Sequence, residues 1–320
     1  MKKALVTGGS GFIGSAICSM LLSKNMSVTS FDNYSRTNIK KSKLPIEYVK
    51  GDITKFEDLM KIKGRFDYIF HLAFINGTNF FYTIPDKIIE VGIKGIFNVL
   101  DFAKANHVNE LYLASSSEVY QTAKKIPTDE KEVMKVIDAY NPRCSYGASK
   151  MMSEIISIHL GKRFLKKLII FRPHNVYGPN MGNEHVIPNF INKIRYCSLK
   201  NREIFIQGSG NETRTFNYID DFIKGVSVLM KKKVKSGTYN IGDSHEISIK
   251  QLLRMIMSIM KVKLKIKSIR ITEGSTLRRR PDIKKITKYG YRPETKLKEG
   301  LKKTINWYLE NFTPSSPTTK

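Results

Sequence analysis

The run Thr7-Gly8-Gly9-Ser10-Gly11-Phe12-Ile13-Gly14 constrains this chain more than any other segment. It follows a short apolar stretch, Lys3–Thr7, that reads as a strand, and it opens a helical pattern, Gly11–Lys24. Glycines at 8, 11 and 14 let the chain turn tightly, let its backbone approach a pyrophosphate, and let helix pack on strand. The free N–H groups and positive dipole end of the helix then face the phosphates. A carboxylate, Asp32, follows the second strand, 24 residues after Gly8. There it can bond the adenosine ribose hydroxyls, which favours NAD over NADP because it would repel a 2′-phosphate; Arg36 nearby softens that preference. The alternative is a structural glycine turn beside a surface carboxylate.

The pattern downstream agrees with a dinucleotide site. Strand-like runs at 27–32, 46–50, 68–72, 110–115 and 168–172 alternate with helical patterns at 56–62, 86–105 and 146–159. Short links between them predict an α/β fold, a Rossmann-type doubly wound parallel sheet with helices on both faces and right-handed crossovers. The sheet domain is expected over residues 1–173. A smaller C-terminal substrate-binding lobe is expected over 174–311, with segments from about 216 to 241 crossing back. A half-exposed strand is expected over 262–271, a closing helix over 297–310, and a disordered tail over 312–320. The 320 residues are 41% hydrophobic and 26% charged, ordinary globular proportions. No apolar run reaches the roughly 18–20 residues of a membrane helix, and the apolar stretch after Lys2-Lys3 is too short for a signal peptide. Three widely spaced cysteines, Cys18, Cys144 and Cys197, make neither a disulfide framework nor a zinc site. No metal is expected, and the setting is expected to be reducing and cytoplasmic.

Tyr146-Gly147-Ala148-Ser149-Lys150 puts a phenol and an ammonium on one helix face. A free tyrosine, with a pKa of about 10, is a poor base at neutral pH. A nearby lysine and an oxidised nicotinamide stabilise its phenolate, which can take a hydroxyl proton while hydride leaves the same carbon for the cofactor.

Further segments carry a family resemblance: Phe31-Asp32-Asn33, Gly51-Asp52-Ile53, His71-Leu72-Ala73, Ser115–Tyr120, Arg172–Pro179, Thr213–Asp221, Tyr239–Gly242 and Arg279–Ile283. With the glycine loop and the Tyr/Lys pair, they make the chain resemble the extended short-chain dehydrogenase/reductases, specifically the NAD-dependent nucleotide-sugar epimerases and dehydratases, over about residues 2–310. The resemblance implies that Gly8, Gly11, Phe12, Ile13, Gly14, Asp32, Asn33, Asp52, Ile53, Leu72, Ala73, Tyr146 and Lys150 hold NAD. His71 would border the cofactor as well. It implies that Ser116 bonds the reacting sugar hydroxyl in a Ser–Tyr–Lys set, though a strand-end cap is the plainer reading of Ser116. It also implies that Asn175, Arg214 and Arg279 hold the nucleotide sugar, the arginines gripping its diphosphate. Arg278 and Arg280 flank Arg279, so the ligand is open by one position.

Glu118 divides the family's chemistries. Dehydratases and decarboxylases of the family resemble this chain around Ser116-Ser117-Glu118; a 4-ketone acidifies the C5 proton, and a carboxylate placed there can remove it. The dehydratases acting on dTDP-glucose pair that Glu with an Asp, and here Ser117 stands in its place. The other reading makes Glu118 structural and the chain a simple UDP-sugar 4-epimerase. Two departures stand out: Gly92 replaces an Asn of the family pattern that serves the cofactor, and Gln121 replaces a Gly after Val119-Tyr120. His174 and His185 read as structural loop histidines or as groups touching the sugar.

The net charge is +27, and residues 231–320 carry 23 Lys/Arg against 7 Asp/Glu. Dispersed lysine without aromatic platforms reads as a solvated surface, so nucleic acid is not the expected partner. A non-catalytic basic binding protein on this fold, and an oxidoreductase acting on a small alcohol, are the readings that compete with the nucleotide-sugar enzyme. By resemblance a homodimer is expected through helices near 86–105 and 146–160, with Met151, Met152, Ile155 and Ile156 either offering apolar surface there or packing into the monomer core.

Overall fold

The computed structural model describes residues 1–35, 44–200, 202–269 and 276–312. Seven strands form one sheet: β1 (Lys3–Thr7), β2 (Ser27–Asp32), β3 (Glu47–Lys50), β4 (Tyr68–His71), β5 (Glu110–Ala114), β6 (Lys167–Pro173) and β7 (Gly237–Ile241). Their spatial order is β7-β6-β5-β4-β1-β2-β3, and every neighbouring pair is parallel. The chain runs outward from β1 to β3 and restarts on the other side at β4. The crevice where direction reverses, at the carboxyl ends of β1 and β4, is where such sheets bind ligands.

Both faces are covered, which is why the strands read as continuous apolar runs rather than alternating ones. Alternate residues nevertheless go to opposite cores. Ala4, Val6, Phe70, Tyr112, Ile169 and Phe171 join the core shared with helix Phe12–Ser23 and helix Ile219–Leu229. Leu5, Ile69, Leu111, Leu113 and Ile170 join the other, with Val99, Leu100 and Phe102 of helix Pro85–Ala105.

After β6 lie helices Val186–Leu199, Ile249–Ile259 and Leu297–Asn311 and, besides a short pair of Val176–Tyr177 with Asn217–Tyr218, two small sheets. One places Thr213–Thr215 between Glu246–Ser248 and Arg278–Arg279. The other pairs Ile204–Gln207 with Ile266–Ile269. Helix Ile249–Ile259 starts with a capping box: Ser248 Oγ accepts from Gln251 N at 3.1 Å, and Gln251 Oε1 accepts from Ser248 N at 2.9 Å.

Several boundaries differ from expectation. The strand expected over 262–271 runs only over Ile266–Ile269 among described residues, because Val262 and Leu264 pack onto the core instead. The helix carrying the Tyr/Lys pair is α-helical over Cys144–Ile156 and closes in a π turn, Ser157–Gly161. Of the apolar residues open to either dimer surface or core, Ile156 is buried in the second core. Arg36, residues 270–271 and residues 313–320 of the expected tail lie outside the described residues. All three cysteines are free and buried. No described helix is long and apolar enough to cross a membrane.

Candidate active site

The glycine loop turns as the spacing demands. Gly8 has φ +70°, and a Cβ there would lie 2.8 Å from Ala73 N. A Cβ on Gly14 would lie 2.0 Å from the Gly8 carbonyl oxygen, so helix and loop touch only because residue 14 has no side chain. Ser15 N donates to Gly11 O at 2.9 Å. The N–H groups of Phe12, Ile13 and Gly14 therefore precede the first intrahelical bond and stay available to an anion. Asp32 ends β2 beside this loop. Its Oδ2 accepts from Ser10 N at 3.0 Å and its Oδ1 from Tyr34 N at 2.8 Å, so the carboxylate is aimed before any ligand arrives.

The remaining residues expected to hold the cofactor follow the carboxyl ends of β2, β3 and β4. Asn33 is exposed, and its Oδ1 accepts from Ser35 N at 3.0 Å. Asp52 Oδ1 accepts from Thr54 N at 2.9 Å, and Asn98 Nδ2 holds the Ile53 carbonyl at 2.9 Å. Leu72 N donates to Thr7 O at 3.0 Å, and Ala73 N to Thr7 Oγ1 at 3.4 Å. Below them His71 is fully enclosed, its Nδ1 2.7 Å from Thr7 Oγ1. Burial, helped by the Lys150 charge, pushes His71 down to about 3, so it stays neutral.

Tyr146 and Lys150 stand on helix Cys144–Ile156, 5% and 4% exposed. Phe81 stacks on the Tyr146 ring at 4.9 Å, and Phe74 meets it edge-on at 5.3 Å. Lys150 Nζ donates to Ala114 O at 2.6 Å, at the end of β5. Burial brings its ammonium down to about 7, against the pull of Glu154 one turn on. Ser116 lies where β5 ends; its Oγ accepts from Glu118 N at 3.1 Å, so it caps the 3-10 turn Ser117–Tyr120. The cap leaves the hydroxyl proton free to be donated elsewhere. Ser117 is buried.

Glu118 and Arg279, expected to act on different parts of a substrate, hold each other. Arg279 Nη1 donates to Glu118 Oε1 at 2.5 Å and Nη2 to Oε2 at 3.1 Å, a two-pronged pair. Burial works against the Glu118 charge, but Arg279, with Arg143 and Arg214 behind it, overrides it and holds the carboxyl at about 2. Arg214 is tied into its loop, Nη1 on Thr213 O at 2.8 Å and Nη2 on Thr276 O at 2.5 Å. Burial and the Arg279 charge lower it to about 10, still protonated at neutral pH. Asn175 Nδ2 donates to Thr215 O at 2.9 Å, closing the floor beneath the arginines. Arg278 points away, to Glu246 at 2.7 Å. Of the two neighbours, it is Arg279 and not Arg278 that faces Glu118.

A buried polar chain fixes this geometry to the sheet. Glu154 takes Arg172 at 2.6 and 2.8 Å, and Arg172 and Tyr120 share a bond of 2.8 Å. Tyr120 donates to Asn240 at 2.8 Å, and Asn240 Nδ2 donates to Thr128 O at 3.0 Å. Thr128 N in turn takes the Arg280 carbonyl at 2.8 Å. The helix carrying Tyr146 and the strand carrying Arg279 are thus joined through one hydrogen-bonded path. His174 belongs to this interior, its Nε2 3.1 Å from Asn240 Oδ1, and burial pushes it down to about 3. His185 occupies the position before helix Val186–Leu199, its carbonyl accepting from Asn189 N at 3.0 Å.

Residues 4–242 match the NAD dependent epimerase/dehydratase family. The chain belongs to that family. It is 30% identical over 315 residues to UDP-glucuronic acid decarboxylase 1 of Xenopus tropicalis, covering 97% of this chain and 73% of the relative. It is 28% identical over 334 residues to dTDP-D-glucose 4,6-dehydratase of Homo sapiens, covering 97% and 91%. Among solved structures it resembles a UDP-glucose 4-epimerase with UDP-glucose from Thermotoga maritima. That match has a TM-score of 0.87 and 25% identity, covering 96% of this chain and 99% of the other. The protein is an enzyme of this family, and NAD is its cofactor. The residues present fit that group: a side-chain-free cradle at Gly8 and Gly14, free helix N–H groups, and a pre-aimed Asp32.

Sequence reading missed Phe74, Phe81 and Arg143. The two phenylalanines sit in loop and short-helix positions where an aromatic reads as core. Arg143 adds positive field to Glu118 from a turn that carries no motif.

Proposed function

We propose that the protein is a nucleotide-sugar enzyme that oxidises its substrate at C4, holds the 4-keto sugar, and reduces it on the opposite face, giving the C4 epimer. Bound NAD would accept and return the hydride. Tyr146 takes the proton of the C4 hydroxyl, Lys150 supplies the neighbouring positive charge, and Ser116 donates to a sugar hydroxyl. Arg214, Arg279 and Asn175 form the end that receives the diphosphate. UDP-sugars are the substrate class, from the likeness to the Thermotoga maritima epimerase. One observation supports inversion at C4: Glu118 is already bound two-pronged by Arg279 and held at about 2. A carboxylate so stabilised is a weak base.

A second reading has its own support. Glu118 sits two residues from Ser116, and Arg279 is the partner an incoming anion would draw away. Released from Arg279, Glu118 would keep the burial that raises a carboxyl, and could then take the C5 proton that the 4-ketone acidifies. A homodimer accompanies both readings, since Ile89, Phe97 and Met152 are exposed on the two helices expected at the interface. A cytoplasmic location does too.

Incubation of the NAD-loaded enzyme with UDP-, dTDP- and GDP-sugars in D₂O separates the readings by mass and proton NMR. An isomer changed at C4 without deuterium supports the first. Deuterium at C5, or loss of water or CO₂, moves the assignment to the second. No turnover across the panel refutes both.

A further inference from the structure

We propose that Phe74 is a positioning residue for the catalytic pair: its ring face carries the Lys150 ammonium, its packing sets the Tyr146 ring, and Gly92 makes room for it. The inference rests on the reading of Tyr146 and Lys150 as that pair.

Three contacts converge on one ring. Lys150 Nζ lies 3.9 Å from the Phe74 centroid, a closer approach than its 5.9 Å to the Tyr146 ring. Phe74 meets Tyr146 at 89° while Phe81 stacks on Tyr146 at 18°, so the phenol is boxed on two sides. The far edge of Phe74 fills the space over residue 92, where a Cβ would lie 2.6 Å from Phe74 Cζ and 2.9 Å from Ser149 Cβ. Any larger residue at 92 would meet the Phe74 ring edge and force a shift there.

The chemistry follows from where the ammonium is. Lys150 is buried, with one carbonyl, Ala114 O, as its hydrogen-bond acceptor. The charged or titratable groups facing it are Glu154 on its own helix, His71 at the end of β4, and Tyr146. His71 is held neutral, and Glu154 is engaged by Arg172 and Ser115. The π face of Phe74 therefore supplies stabilisation of the charged form that no second carboxylate provides. Without it the lysine is neutral over more of the working pH range, and Tyr146 loses the cation that makes it a base.

The test uses Phe74→Leu, which keeps an apolar side chain over Lys150 without a π face, and 2,6-difluorophenylalanine at position 74. The latter weakens the π face at nearly constant shape and keeps its fluorines off the ring edge that meets Gly92. Trace acylation of Lys150 against pH, read by peptide mass on the NAD-free and NAD-loaded protein, reports lysine ionisation independently of turnover. Phe74→Leu should move its inflection down by about one pH unit, tenfold in the ammonium-to-amine ratio. It should also lower kcat about tenfold at pH 7 with little change in KM, and the difluoro ring should fall between. An unmoved inflection in both proteins overturns the inference, whatever the activity does. Tyr146→Phe runs alongside: if it turns over at the wild-type rate, the catalytic reading fails, whereas if it is dead and Phe74→Leu is normal, only the role of Phe74 fails.

Discussion

Replacing Glu118 by Gln removes one charge from the site and keeps its shape. In the folded protein Arg279 holds this carboxyl near 2, against an ordinary value of 4.5. By linkage that difference is about 3 kcal/mol of folding stability at pH 7. The Glu118 side chain is 22% exposed and that of Arg279 11%, so solvent screening trims this to about 2–3 kcal/mol. The sign is fixed by the lowered value: the stabilisation is complete above 4.5 and drains as pH falls toward 2. At pH 3 less than about half of it should remain. Glu118→Gln should therefore unfold at lower urea at pH 7 by an amount worth about 2–3 kcal/mol, with the gap to wild type shrinking to about 1 kcal/mol at pH 3. Urea titrations at the two pH values, followed by far-UV circular dichroism, measure this directly. A gap that is equal at both pH values, or absent at pH 7, would refute the argument that Glu118 is an ionised partner of Arg279.

Three further outcomes follow from the geometry. Gly14→Ala drives a methyl to within 2.0 Å of the Gly8 carbonyl; it should cost about 1–3 kcal/mol and weaken NAD binding at least tenfold by calorimetry. Asp32→Ala removes the acceptor for Ser10 N and Tyr34 N. It should weaken NAD more than NADP, narrowing the preference between them in a competition titration. Phe97→Asp with Met152→Lys places charges on the exposed helix pair, and light scattering should then give the mass of a monomer if those helices form the dimer.

The sheet was legible because its strands obey a rule that acts locally. Continuous apolar runs of four to seven residues between helical patterns have one stable arrangement, a parallel sheet covered on both sides. The glycine loop was legible for the same reason, since the turn at Gly8 and the contact at Gly14 are set within eight residues. The lobe was less so. The Arg278–Arg279 strand pairs with Thr213–Thr215 across more than sixty residues, and no local pattern announces such a partner. Gly92 shows the limit most clearly. In the sequence it is a missing side chain, and only the fold reveals Phe74 in the space.

The pairing of Glu118 with Arg279 changes what the substrate must do on arrival. Read separately, one residue was a candidate base and the other a diphosphate ligand. Paired, neither is free. Arg214 cannot take over without cost, because its donors already hold the carbonyls of Thr213 and Thr276. On the proposed reading, a diphosphate entering this end would have to compete with Glu118 for Arg279, or bind with Arg279 still shared. If it wins the guanidinium outright, Glu118 is left buried between Arg143 and Arg214 without its closest cation, and its carboxyl rises. Binding and activation of the carboxylate would then be one event, and an enzyme that inverts C4 alone has no use for that coupling. If Arg279 stays shared, Glu118 remains a fixed counter-charge and the chemistry ends at C4. The choice between the two readings of the reaction thus comes down to where one guanidinium sits in the loaded site. It is open to measurement as the Glu118 titration with and without a bound nucleoside diphosphate.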